Sequence, residues 1–293
     1  MNQSVAVPRL PLQHVFHPSD FSQASQVAFA HALKLALTAR ANLCIMHVAP
    51  ESADVHWTDF PGVRPLLARW GLLPPGSRQE DVLKLGIDVE KILAVHADPV
   101  ASMLHTLEEH PTDLVVLATH QRDGLGRWLH KAVAEPFARR SKIMTLFIPH
   151  GVEGFISSAD GTITLRRILI PVDTVPSPQP AVEAAAVTAL ALGCEDVSFT
   201  LAYVGSAGDM PVVHEGTWPG WTWENVVRQG DVVEQLLDVA ATRESDLIVL
   251  TTAGHHGILD ALRGSTTERI LRGARCPVLA IPASAATERA SRS

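Results

Sequence analysis

Three cysteines, one tyrosine and an aromatic content of 5% are all that a chain of 293 residues provides, and each shortage excludes something. Cys44, Cys194 and Cys276 lie far apart and make no Cys-x-x-Cys pair, so the expectation is three reduced, inert thiols rather than a disulfide framework or a thiolate zinc site. No apolar run approaches the ~20 residues that a bilayer span requires, which argues against a membrane partner. Lys and Arg number 24 against 31 Asp and Glu, a formal charge of -7 without a long basic run, whereas a nucleic-acid partner needs a cationic footprint on its phosphates. At the N-terminus no basic segment leads into an apolar one, and a cytoplasmic location is the expectation.

Catalytic signatures are lacking as well. The chain contains no GxxxxGK[ST], GxSxG or HExxH, neither SGGxDS nor HIGH, and no nucleophile spaced with a base, so efficient catalysis is not expected. Histidine is the one plentiful metal-binding residue, 14 in all, among them His120, His130, His214, His255 and His256. Adjacent His255 and His256 are poorly arranged to share one tetrahedral ion, which leaves a metal site as the weakest reading and exposed loop histidines as the plain one.

What is present is enough chain for two domains, 46% hydrophobic and 19% charged, and an internal repeat. Residues 14–20, HVFHPSD, lead into a helical pattern over 22–39, and residues 168–173, ILIPVD, lead into an Ala-rich helix over about 180–192. Asp20 and Asp173 thus stand 153 residues apart in matching places, and second strands are read over 42–48 and 197–204. Later landmarks repeat at a constant shift of 133: Asp98 with Asp231, Asp113 with Asp246, Glu135 with Glu268, Pro149 with Pro282. Between His47 and Tyr203 the shift is 156, so the first half carries 23 more residues between its second and third strands. That insert, roughly 51–87, contains a helical segment near 63–73 and a short one before Gly86, whereas residues 205–221 read as a loop without a helix.

Third strands near 89–95 and 222–228 and helices over 98–109 and 231–243 complete the pattern β-α-β-(α)-β-α-β-α-β in each half. Such alternation predicts an α/β fold of two doubly wound, parallel-sheet, Rossmann-like domains, divided as 1–152 and 162–285. In a doubly wound sheet the ligand site lies beyond the carboxyl ends of the strands, where the first and fourth strands separate.

Residues 246–281 of the second half read as strand, glycine loop, helix and strand without interruption. Gly254 and Gly257 are turn residues after the strand, and Gly264 and Ser265 open the helix, where Thr266 and Thr267 add hydroxyls to unpaired backbone donors. The segment is either a phosphate cradle or an ordinary strand-to-helix turn with a Ser cap.

These residues resemble the universal stress proteins, whose nucleotide-binding members carry Gly-x2-Gly-x9-Gly-Ser/Thr after the fourth strand. Gly254, Gly264 and Ser265 match the last three elements, and Thr251 stands at the first glycine. The resemblance covers about residues 12–283 and implies a tandem member with the adenine nucleotide alpha hydrolase-like fold. It further implies that Asp173, with Pro171 at the end of the same strand, and Val204 hold an adenosine. Thr251, Gly254, Gly264, Ser265 and Thr266 would hold the phosphates of ATP, with Mg2+ where slow hydrolysis occurs. Asp173 also has a plain reading, as a loop Asp bonding its own backbone. In the first half the matching phosphate-loop residues are Ala118, Gln121, Lys131 and Ala132. Asp20, His47 and Val48 remain there, so an adenosine-like pocket could survive without a phosphate clamp, or the half could be a structural partner.

Several readings stay open. The chain is either a nucleotide-binding stress or signalling module or an interaction scaffold with empty sites. By resemblance the final strands, residues 144–149 and 278–282, pair antiparallel into an internal pseudo-dimer, with a homodimer as a further step. Residues 205–221, leaving the rim beside Val204, could cover a ligand with Met210, His214 and Trp218, or pack against the other half. For Trp218, Trp221 and Trp223 packing is favoured over stacking on a base.

Overall fold

The computed structural model describes residues 12–96, 98–119, 137, 140–252 and 266–283. In the first half these form β1 (His14–Pro18), α1 (Gln23–Ala39), β2 (Asn42–Ala49), α2 (Val63–Arg69), α3 (Gln79–Lys84), β3 (Val89–Val95), α4 (Pro99–Glu109), β4 (Leu114–Thr119) and β5 (Met144–Pro149). The second half supplies β6 (Arg167–Pro171), α5 (Gln179–Ala191), β7 (Ser198–Val204), β8 (Thr222–Arg228), α6 (Val232–Thr242), β9 (Leu247–Thr252), α7 (Thr266–Gly273) and β10 (Val278–Pro282). All of these strands join one sheet, in the order β3-β2-β1-β4-β5-β10-β9-β6-β7-β8.

Within each half the pairing is parallel, and the interior strands β4 (LVVLAT) and β9 (LIVLTT) are aliphatic on both sides because both faces are covered. One face packs on α1 and α5, through Leu33, Ala36, Ala185 and Ala189. The other packs on α4, α6 and α7, through Met103, Leu236 and Ile270. At the centre β5 and β10 run antiparallel, Leu146 opposite Leu279, so the pairing implied for the two final strands is observed. Every residue of both strands is buried, and neither half has a free edge there.

The landmarks shared at a shift of 133 are structural devices. Asp98 and Asp231 cap helices: Asp98 Oδ1 accepts from the N–H of Val100 (2.9 Å) and Ala101 (3.2 Å), and Asp231 Oδ1 from Val233 (3.1 Å) and Glu234 (3.0 Å). Asp113 and Asp246 pin the first strand of each half. Asp113 Oδ2 accepts from Gln13 N (2.7 Å) and His14 N (3.0 Å), and Asp246 Oδ2 from Arg166 N (2.9 Å) and Arg167 N (2.8 Å). Asp246 also holds the Arg167 guanidinium, which Glu244 shares. Asp246→Ala is therefore expected to lower stability by about 2 kcal/mol, since it removes charge-assisted bonds to two strand-start amides. A urea midpoint equal to that of the unaltered chain would show that strand pairing alone holds this start.

The insert carries α2 and α3, and the corresponding residues 205–221 form only one 3-10 turn, at Ala207–Asp209. Between the halves the connector folds back on itself through the bridge of Ile156 to Ile163, with Phe155, Ile156 and Leu165 buried. His31 of α1 fastens it. Its Nδ1 donates to Val27 O (2.9 Å), which leaves Nε2 to accept from the N–H of Phe155 (3.2 Å) and Ile156 (3.3 Å). Gly154, at φ +73, passes so close that a Cβ would stand 2.4 Å from that nitrogen.

Candidate functional site

Strand order makes the switch point explicit. β6 has β7 on one side and β9 on the other; α5, which joins β6 to β7, covers one face of the sheet, and α6 and α7, which precede and follow β9, cover the other. The carboxyl ends of β6, β7 and β9 therefore meet at one rim of the second half. Pro171 ends β6, Val204 ends β7 and Thr251 is the next-to-last residue of β9, so three residues expected at the site share that rim. Asp173 follows two residues after β6 and is exposed, while Pro171, Val204 and Thr251 are half-buried.

Asp173 shows the plain loop role alongside any other: its Oδ1 accepts from Thr174 N (2.6 Å) and Thr174 Oγ1 (3.3 Å). Oδ2 has no hydrogen-bond partner among the described residues. The Thr251 hydroxyl is buried and has no hydrogen-bond partner among the described residues, whereas Thr252 Oγ1 donates to Ile281 O (3.4 Å). Thr119 Oγ1, at the end of β4 in the first half, and Trp70 Nε1 share this state among the described residues, and a buried hydroxyl without a partner costs about 1–3 kcal/mol. Gly254, Gly264 and Ser265 lie outside the described residues. Thr266 opens α7 and is exposed. Arg269 on α7 grips both oxygens of Asp231 (3.1 and 2.8 Å), joining α7 to the start of α6 and holding the Asp231 carboxyl below the usual carboxylate range. Further down α7, Arg272 pairs with the buried Glu268. Sequence spacing gave no sign of the Arg269 clamp, which joins residues 38 apart.

Residues 205–221 leave the rim after Val204 but are tied to their own half. Gln179 of α5 clamps His214, accepting from its N–H (2.8 Å) and donating to its carbonyl (3.2 Å). Trp223 lies flat on Phe199 at 4.1 Å and donates to Gly216 O (2.8 Å), and Trp221 lies 4.9 Å from the same ring and donates to Cys194 O (3.3 Å). Both indoles serve packing, as favoured from sequence. The loop is thus anchored on α5 of its own half.

At the equivalent rim of the first half, aromatic rings meet. Phe21, directly after Asp20, stacks on His47 at 3.9 Å and 17°, and Phe60 of the insert stands edge-on to Phe21 at 5.3 Å. His47 Nδ1 donates to Ser19 O (2.6 Å), and burial lowers the His47 pKa against the opposing effect of that bond and of Asp20 and Asp59. His47, read from sequence as a strand-end residue, lies two residues before the end of β2 and is 6% exposed. The missed signal is the phenylalanine after Asp20, where the second half has Thr174.

The described residues contain no group of three His, Cys, Asp or Glu that could hold a metal ion; His120, His130, His255 and His256 lie outside them. Burial pushes the thiols of Cys44 and Cys276 up to about 12 and that of Cys194 to about 11, which makes poor nucleophiles of all three. No helix among the described residues is long and apolar enough to cross a membrane.

Comparison with known proteins agrees with this architecture. The model of the universal stress protein family matches residues 12–149 and 219–282. Universal stress protein MJ0531 of Methanocaldococcus jannaschii is 36% identical over 53 residues, which are 18% of this chain and 31% of that protein, so the match spans about a third of its length. A universal stress protein from Archaeoglobus fulgidus superposes with a TM-score of 0.61 at 15% identity, covering 92% of this chain and 98% of the other. A Pseudomonas aeruginosa protein of unknown function, PA1789, gives 0.60 at 13% identity, covering 97% and 98%.

Proposed function

This chain belongs to the universal stress protein family, and from that premise we propose that its second half, residues 162–285, binds ATP with Mg2+ as a stress-response or signalling module. Residues 1–152 form its partner domain. The observation that carries this reading is the buried hydroxyl of Thr251, without a partner among the described residues, at a rim shared with Asp173 and Val204. A nucleotide supplies polar groups for that hydroxyl and for the second oxygen of Asp173. The glycines at 254 and 264, with Ser265, are the residue types that let backbone amides approach a phosphate. Binding and conformational response, rather than efficient turnover, is the role that suits a site without a nucleophile and base.

Calorimetric titration of the full chain with ATP and Mg2+ tests this. One site per chain is expected, and Gly264→Lys, which copies Lys131 of the first half, should abolish it. Asp173→Ala should weaken it about tenfold, the worth of one charge-assisted hydrogen bond. Unchanged affinity in Gly264→Lys would sink the site assignment, and no heat at all in the unaltered chain would leave the interaction-scaffold reading, which Asp173's own loop bonds favour.

A further inference from the structure

Where the insert meets the edge strand β3, two cations stand together, and among the described residues no carboxylate pairs with either. Lys91 of β3 is half-buried, its Nζ 5.6 Å from the centre of the Phe60 ring, so its stem lies against the insert. Arg64 of α2 is exposed and donates through one guanidinium nitrogen to Ser77 O (2.9 Å).

The acids nearest in sequence are turned elsewhere. Alternation along β3 sends Glu90 to the opposite face of the sheet, where its carboxylate stands 3.5 Å from His110 at the end of α4. Asp59 accepts from His56 N (2.8 Å), and its charge bears on His47. In the second half the place of Lys91 on β8 is taken by Glu224, which pairs with Arg243 (3.0 Å) and accepts from Thr200 Oγ1 (2.9 Å), and the helix that carries Arg64 has no counterpart. The cationic pair therefore belongs to the insert and the strand beside it.

Burial first, and the Arg64 guanidinium after it, hold the Lys91 amine below the usual lysine range, so more of it is neutral at a given pH. The neutral amine is the nucleophilic form. The same guanidinium, with no acid to engage it, draws an anionic reagent toward that amine. Lys34 gives the contrast within the molecule. It is also half-buried, its Nζ 5.5 Å from the centre of the Trp70 ring, but the Asp160 carboxylate favours its charged form and repels an anion. Lys84 is held by Asp81 at 2.8 Å.

We propose that Lys91 is a modification site for acyl phosphates, with Arg64 holding the phosphate of the donor. The neutral Nζ attacks the acyl carbon, and the new C–N bond forms as the C–O bond to phosphate breaks. The electron pair leaves with inorganic phosphate, and the surplus proton of the amine passes to solvent. The amide that results carries no charge, so modification ends the repulsion between β3 and the insert.

Acetyl phosphate is the probe, incubated with the full chain at pH 8 while acetylation of each lysine is followed in time by peptide mass spectrometry. Lys91 is expected to react about fivefold faster than Lys84, and faster than Lys34. A rate no greater than theirs overturns the site. Arg64→Gln, checked for folding by circular dichroism, is expected to slow Lys91 about threefold or more and leave Lys84 as it was. An unchanged Lys91 rate in the folded variant overturns the role of Arg64. Added inorganic phosphate gives a second measure on the unaltered chain, free of any question of folding: competing for Arg64, it should slow Lys91 and spare Lys84. Equal rates with and without phosphate at Lys91, or equal slowing at both lysines, overturns the proposal.

Discussion

Lowering the pH from 8 to 5 is expected to cost the folded chain about 4 kcal/mol, through two histidines that it buries neutral. His31 and His17 are completely buried, and desolvation pushes each from the ordinary 6.5 down to about 4, in spite of a carbonyl bond that favours the charged form at each. His17 donates through Nδ1 to Val116 O (2.9 Å), and its Nε2 faces the Ser25 hydroxyl at 3.4 Å. Between pH 6.5 and 4 the unfolded chain binds these two protons and the folded chain does not. The stabilisation is present in full above about pH 6.5 and is lost as the pH falls toward 4. At pH 5 each contributes about 2 kcal/mol of loss, and His47, shifted the same way, adds to the trend. Urea midpoints measured at pH 8, 6.5 and 5 read this directly. His31→Gln, which cannot ionise, should remove roughly half of the slope. A midpoint that does not move between pH 8 and 5 would contradict the buried, neutral assignment of both rings.

The second large effect concerns separation of the halves. Residues 162–285 expressed alone would present Val278–Pro282 as an edge, five residues that are all buried in the full chain. Such a fragment should associate, with β10 of one copy taking the place of β5, or aggregate. Its melting midpoint at low concentration should fall by about 10 °C or more, and rise with concentration. Sedimentation and melting over a range of concentrations decide the matter. A fragment that stays monomeric and melts where the full chain does would mean that the β5 to β10 junction contributes little to stability.

How far the fold was legible depended on how local its cause was. The strands over 89–95 and 222–228 and the capped helices after Asp98 and Asp231 were readable because a period, or a carboxylate bonding two or three residues ahead, is written within a few positions. The insert was readable as a difference between two copies of one pattern. Asp113 and Asp246 were visible as repeated landmarks, but their task was not, since each bonds amides 79 to 100 residues away. His31 is the same case: nothing in the helical pattern of α1 announces that it faces two amides 124 and 125 residues on. At the candidate site, Asp173, Val204 and Thr251 could be assembled from strand order. The filling of the first rim could not, because Phe60 reaches Phe21 across 39 residues and through tertiary packing alone.

The antiparallel meeting of β5 and β10 also sets the direction of each half. Parallel strands within a half and one reversal at the centre turn the carboxyl ends of the two halves toward opposite margins of the sheet. In a dimer of identical chains such an arrangement would be symmetric, and any change at one rim would be made at both. Joining the copies in one chain removes that obligation: Phe21 and Phe60 can fill one rim while Thr174 follows the aspartate at the other, with the shared junction unchanged. The molecule thereby acquires a front and a back, and the two margins of one sheet present different surfaces.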